Sequence, residues 1–338
     1  MTPTTPARRA TSSDVARRAG LSRTTVSQIL NGNVASFPQE TRDRVSAAAA
    51  ELNYRPSRAG RALATGVSDM IVLAIPSATF GPNLQNAVDQ ITEASATLGM
   101  SVVVRFAGRD TAATLTSVLD LRPMVIIDFG VFTPEQGRTL ESAGSRLFPP
   151  IPESGQDATD ELDVFVGRLQ VRELVLRGKR HVIYAQLQDS RAAPYGDFRL
   201  QGVRSECSAH GLADPVVIRV ELDEDSATQA LSSALETTGD DAVAVCAYND
   251  DVAIAVIAAA RRLELPVPSR VGVIGVDHTM LGQLVAPRLT SVHIDLPRII
   301  DLFLGQLTVI RGAGAATADE VTALEPSDVA WVVAGDSC

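Results

Sequence analysis

Asp14-Val-Ala-Arg-Arg-Ala-Gly-Leu-Ser-Arg-Thr-Thr-Val-Ser-Gln-Ile-Leu-Asn31 carries two short apolar patterns on either side of Gly20-Leu21. Val15, Ala16 and Ala19 precede the break, and Val26, Ile29 and Leu30 follow it, at the i, i+3, i+4 spacing of a packed helix face. That spacing predicts a helix-turn-helix. Gly20 supplies the permissive backbone of the turn, and the Ser22 hydroxyl is placed to cap the second helix. Arg23, Thr24, Ser27 and Gln28 remain on the outer face, at the helix end that meets base edges in the major groove. Arg23 suits a guanine, Gln28 an adenine or another base edge, and Thr24 a methyl or polar edge. An Ala-rich amphipathic pair is also what a plain helical core contains, so the residues that follow decide between the two readings.

A third helical pattern spans 41–53, with Val45, Ala49 and Leu52 in one stripe, and runs into Leu52-Asn-Tyr-Arg-Pro-Ser-Arg-Ala-Gly-Arg-Ala-Leu-Ala-Thr-Gly66. Asp14-Val-Ala, Ala19-Gly-Leu-Ser, Thr25-Val-Ser, Leu30-Asn, Glu40-Thr-Arg, Tyr54-Arg-Pro and Arg61-Ala-Leu stand in fixed order over 11–66. This run resembles the DNA-binding headpiece and hinge of the LacI/GalR family of bacterial transcriptional regulators. Several motifs in order are far more specific than one short motif. The resemblance implies an α/β protein: an N-terminal three-helix helix-turn-helix head with a hinge helix, then a two-lobed periplasmic-binding-protein-like core of parallel sheets.

The same resemblance implies roles for particular residues. Thr11 and Ser12, one of which also caps the first helix, approach the phosphate backbone, and Thr25, Ser27 and Asn31 hold the second helix on phosphates. Residues 57–64 resemble the hinge helix, with Ser57, Arg58 and Leu63 in the minor groove and Leu63 the apolar wedge that kinks the duplex. Gly60 stands where the family usually has Ala, and glycine inside a helix costs roughly 1 kcal/mol, so this hinge is expected to fold reluctantly without DNA. Phe37-Pro38 replaces the family's common Val-Ser; Pro38 is expected in the first turn of the third helix and Phe37 in the head's core.

The formal charge of −10 argues at first against nucleic acid, but its distribution reverses that. Residues 1–66 hold ten Arg and four acidic residues, a net of +6, and the rest of the chain carries −16. A cationic head on an acidic body is what results when only the head meets phosphates. Cys207, Cys246 and Cys338 are scattered and odd in number, so free or buried thiols are expected rather than disulfides or a metal site. The first eleven residues lack the apolar run of a secretory signal, and no stretch approaches about 20 continuous apolar residues. A cytoplasmic protein without a membrane partner is expected. With no heptads after the last strand, a coiled-coil tetramer is not.

From Asp69 onward apolar runs alternate with amphipathic helices, which implies parallel sheets covered on both faces. Strands are expected at 70–75, 100–106, 124–129, 181–185, 216–220, 242–247, 271–276, 289–294 and 329–333. Helices are expected at 84–98, 111–119, 134–143, 164–177, 197–210, 226–237, 250–263 and 297–311, with a turn-rich crossing around Phe148-Pro-Pro-Ile-Pro. The expected domains are a tail at 1–10, the head at 11–56, hinge and linker at 57–68, and the core at 69–338. Within the core, lobe one takes about 69–160 and 295–318, and lobe two about 161–294 and 319–338.

Ligands of open parallel sheets bind beyond the carboxyl ends of the strands. By resemblance, Arg199, Asn249 and Asp277 occupy effector-binding positions there, and Phe80 lines the other lobe. An arginine fork with carboxylate and amide groups can read hydroxyls or a carboxylate on a small polar molecule. Arg199 could instead be a surface helix arginine, and Asp250 a helix cap. Where many sugar-responsive members carry Asp, this chain has Phe148-Pro149-Pro150, and the usual aromatic pair of the first loop is thinned to Phe80. The expected partners are a pseudopalindromic double-stranded operator, a sugar or other polar metabolite, and a second copy of the chain as a homodimer. A repressor is the family's commonest mode. A solute-binding protein would fit the body alone, but not the basic head. No glycine fingerprint, nucleophile elbow, P-loop or metal spacing among the four histidines points to an enzyme or a cofactor.

Overall fold

In the computed structural model, which describes residues 10–30, 36–54, 68–76, 82–108, 110–151, 158–189, 195–238, 241–312 and 325–338, two units separate at Asp69. The first begins with a reciprocal cap. Thr11 Oγ1 accepts from the Asp14 amide at 3.3 Å, and the Thr11 amide donates to Asp14 Oδ2 at 2.9 Å, opening α1 (Ser12–Ala19). Gly20, at φ +66°, ends it. Ser22 Oγ then accepts from the Thr25 amide at 3.0 Å at the start of α2 (Arg23–Leu30). Pro38 stands at the N-cap of α3 (Gln39–Glu51), one place before the first turn in which it was expected. Its extended ψ of 148° keeps it outside the helix, while its carbonyl accepts from the Thr41 and Arg42 amides. Val15, Ala16, Ala19, Val26, Ile29, Val45, Ala48 and Ala49 form one buried core, and Phe37 and Tyr54 pack against it.

The second unit, Met70–Cys338, holds two sheets. The first contains β1 (Met70–Ile75), β2 (Ser101–Phe106), β3 (Val125–Asp128) and β4 (Arg146–Phe148), all parallel in the order β2-β1-β3-β4. α4 (Pro82–Thr97) covers one face and α5 (Thr111–Leu121) and α6 (Pro134–Ser142) the other, so Ile71, Leu73 and Ile75 bury toward one side and Val72 and Ala74 toward the other. The three-residue strand β4 runs into the turn-rich crossing expected around Phe148 and has no counterpart among the expected strands. It is too short to show a period, and only its pairing with β3 reveals it.

The second sheet has the order β10-β9-β8-β7-β5-β6: β5 (His181–Leu187), β6 (Val216–Val220), β7 (Val243–Ala247), β8 (Val271–Val276) and β9 (Thr290–Ile294) are parallel. β10 (Ala330–Val333) is antiparallel to β9. One face carries α7 (Ala158–Leu176) and α8 (Gly196–Ala209), and the other α9 (Glu224–Leu235) and α10 (Asp250–Arg262). A Cβ at Gly202 would collide with the Val164 carbonyl, and one at Gly167 with the Arg199 carbonyl. These glycines let α7 and α8 touch backbone to backbone. The short α11 (Met280–Leu284) follows β8, and α12 (Leu296–Gly312) packs Ile300, Phe303 and Leu307 onto the first sheet, where Asp301 accepts from Gln90 Nε2 at 2.7 Å. The short α13 (Pro326–Val329) leads directly into β10. No helix among the described residues is long and apolar enough to cross a membrane. All three cysteines are buried free thiols.

Candidate nucleic-acid interface and effector site

Because α2 buries Val26 and Ile29, the helical period turns Arg23, Thr24 and Gln28 outward, and all three are exposed. Thr25, at the edge of that face, and Ser27, within it, are half-buried. The Thr25 hydroxyl lies 2.8 Å from Ser22 Oγ, so the cap also fixes this side chain. On α1, the Thr11 hydroxyl donates to Asp14 Oδ2 at 2.7 Å and Ser12 is half-buried. Arg18 Nε donates to Glu51 Oε1 at 3.0 Å and ties α1 to α3. The result is a three-helix support that presents the polar face of α2 to solvent. Asn31, Ser57, Arg58 and Leu63 lie outside the described residues.

The second unit brings a polar cluster together at the carboxyl rim of its second sheet. Arg199, in the first turn of α8, is buried, and its Nε donates to Asp163 Oδ1 of α7 at 2.8 Å. Its Nη1 donates to the Tyr248 carbonyl at 2.5 Å, and its guanidinium carbon sits 4.9 Å from the Tyr248 ring centroid and 5.5 Å from that of Tyr195. Burial opposes the charge, but Asp163, aided by Tyr248 and Asp277, outweighs it and holds the Arg199 pKa above the ordinary arginine value. The same burial raises the Tyr195 phenol well above its usual range and pushes Tyr248 up to about 12. Tyr195 Oη donates to the Phe129 carbonyl, just past β3, at 2.7 Å, so it joins the rims of the two sheets.

Asn249 is buried and caps α10, its Oδ1 accepting from the Val252 amide at 3.0 Å. The cap is therefore Asn249, not Asp250. Asp250 is fully buried and instead accepts from Thr279 and Ser291, with its carboxyl pushed up to about 7 by burial. Asp277 follows β8; burial raises its carboxyl, against the pull of the Arg199 guanidinium. Arg199, Asn249 and Asp277 thus share one rim, with Asp163, Tyr195 and Tyr248 as neighbours that no motif announced. Phe80 lies outside the described residues. Chemically, the rim offers a fixed cation, carboxylates and amides beside aromatic rings.

Comparison with known proteins agrees with both halves. Residues 11–57 match the model of bacterial regulatory proteins of the lacI family, and residues 171–328 match the periplasmic binding protein-like domain. The chain is 25% identical over 313 residues to the HTH-type transcriptional regulator AscG of Escherichia coli, covering 89% of this chain and 92% of that one. It is 26% identical to the HTH-type transcriptional regulator GalR of the same organism, with 84% of each covered. Among solved structures, a lac repressor dimer bound to operator and the anti-inducer ONPF superposes with a TM-score of 0.74 at 22% identity over 98% of this chain and 99% of that one. A transcriptional regulator CelR–cellobiose complex gives 0.60 at 21% identity over 98% and 100%. With a LacI-type DNA-binding domain joined to a periplasmic-binding-protein-like domain, the chain is a DNA-binding transcriptional regulator and belongs to the LacI/GalR family.

Proposed function

We propose that this protein is a cytoplasmic, homodimeric repressor without enzymatic activity, and that a small polar effector bound between its two lobes controls its grip on a pseudopalindromic operator. The observation that carries the reading is the exposed row Arg23, Thr24 and Gln28 on a capped, buried-backed α2. Arg23 takes a guanine edge, Gln28 an adenine or other edge, and Thr24 a methyl or polar edge, while Thr11, Ser12, Thr25, Ser27 and Asn31 contact phosphates. Ser57, Arg58 and Leu63 enter the minor groove. In this reading the head covers 11–56, the hinge and linker 57–68, and the core 69–338. A twofold dimer presents two heads, which matches a site with two half-sites.

Arg199, Asn249, Asp277 and Phe80 form the effector site. Solved relatives in complex with cellobiose and with ONPG, and relatives named ribose operon repressor, support a sugar or sugar-like effector. The buried partners of Arg199 favour hydroxyl recognition by preset polar groups. An effector that prefers one arrangement of the lobes shifts the population able to dock both hinges. The test is selection of bound DNA from a random duplex pool at physiological salt. A recovered twofold motif that Arg23→Ala and Leu63→Ala weaken supports the reading. Recovery of no sequence preference, with and without sugars, would sink it.

A further inference from the structure

Asp277 and His278, directly after β8, both have positive φ, +96° and +47°. Residues other than glycine enter that region at a cost, and such a corner persists only where its surroundings over-determine it. Here one carboxylate supplies most of the hold. Asp250 Oδ2 accepts from the Thr279 amide at 2.6 Å and from the Thr279 hydroxyl at 3.0 Å. Asp250 Oδ1 accepts from the Ser291 hydroxyl at 2.6 Å, and the same Ser291 oxygen accepts from the His278 amide at 2.9 Å. Thr279 Oγ1 in turn accepts from the Gly282 amide at 3.2 Å, which starts α11. The Asp277 amide donates to the Val292 carbonyl at 2.8 Å and fastens the corner to β9.

Two further features fit the same purpose. A Cβ at Gly275 would collide with Asp250 Oδ1, so the strand leading into the corner is pared back to admit the carboxylate. Asn249, not Asp250, caps α10, and the donors to Asp250 come from the corner and from β9. We infer that Asp250 is a positioning residue for the effector site, a clamp that holds the left-handed Asp277–His278 corner and so sets where the Asp277 carboxylate stands. The link to the effector rests on the reading of Asp277 given above, but the clamp does not.

The experiment is hydrogen exchange on the full chain in a double-variant cycle of Asp250→Asn and His278→Gly. Asparagine keeps the volume but turns an NH2 toward hydroxyl or amide donors that need an acceptor. At pH 8, where the Asp250 carboxylate is ionised and accepts through both oxygens, Asp250→Asn should speed exchange across 277–284 about tenfold or more while β7 stays protected. Glycine adopts positive φ freely, so adding His278→Gly should bring that segment back to within about threefold of the wild type. A double variant that exchanges as fast as Asp250→Asn alone would overturn the clamp, because ordinary packing has no reason to be rescued by glycine. Ser291→Ala, which removes only the relay oxygen, carries the same cycle if Asp250→Asn does not fold. Thermal midpoints with cellobiose and ribose separate the two readings: glycine rescue, with no sugar response that distinguishes Asp277→Asn from the wild type, would overturn the link to the effector alone.

Discussion

Arg199 Nε donates to Asp163 Oδ1 at 2.8 Å across the contact of α7 with α8, and neither side chain is more than 6% exposed. A pair this deep is weak evidence of net stabilisation, since both charges have left water, but it makes each partner dependent on the other. Its geometric effect is plain: Asp163 holds the guanidinium at the carboxyl rim of the second sheet, within reach of the rings of Tyr195 and Tyr248.

Removing one partner should therefore cost much more than removing both. Asp163→Ala leaves a buried cation unpaired and should lower stability by about 3–5 kcal/mol, whereas Asp163→Leu with Arg199→Met should recover much of the loss. Denaturant titration of the wild type and these two variants measures the difference. Equal stability of Asp163→Ala and the wild type would show that the pair is not buried in solution.

The backbone contact that brings those two residues together makes a second expectation. Gly202→Ala places a methyl group against the Val164 carbonyl, and neither backbone can yield cheaply. A loss of about 1–3 kcal/mol or more is expected, read as a lower thermal midpoint of the second unit. Gly305→Ala, inside α12 at a site with nothing within 4 Å, is the contrast: no clash opposes it, and the gain in helix propensity should raise the midpoint by the equivalent of roughly 0.5–1 kcal/mol.

The pH dependence of stability should carry the mark of Asp250. Burial raises its carboxyl to about 7 from 3.8, so the folded state favours the protonated form. The contribution is full below the unfolded value, falls as the pH climbs toward about 7, and is flat above it. Asp250→Asn lacks this titration. Midpoints taken from pH 4 to 8 should show the wild type losing ground relative to the variant up to about pH 7, and two parallel curves would contradict the assignment.

For the head, fold and readout should come apart. Arg23→Ala and Gln28→Ala remove exposed side chains, so the midpoint should hold, while discrimination at a single base position drops by about 1–3 kcal/mol. Ser22→Ala loses the cap of α2 and should do the reverse, costing about 1 kcal/mol of stability without changing which base is preferred. Binding titrations on single-base operator variants, paired with melting curves, tell the two classes apart.

The head was legible because its signals are local. Val15 and Ala19, Val26 and Ile29, and Val45 and Ala49 each fall at helical spacing within their own helix, Thr11 and Asp14 are three residues apart, and the outward row on α2 follows from the same period. The strand and helix rhythm of the core was legible for the same reason, apart from β4 and the short helices α11 and α13, which are too short to repeat the period of their class. Pro38 stands one place earlier because a proline fits either side of a helix start and only its own ψ decides.

The rim of the second sheet was legible only in part. Motif resemblance pointed to Arg199, Asn249 and Asp277, yet Asp163 lies 36 residues from Arg199, Tyr248 lies 49 away, and Ser291 lies 41 from Asp250. Sequence alone therefore determined which segments are helix or strand, which helix face is polar, and where the positive charge is concentrated. Tertiary structure decided which carboxylate steadies the arginine, which residue caps α10, and how the corner after β8 is held. The physical reason is that periodicity and capping act within a turn or two of the chain, whereas a buried charge is satisfied by whatever the folded topology delivers to it.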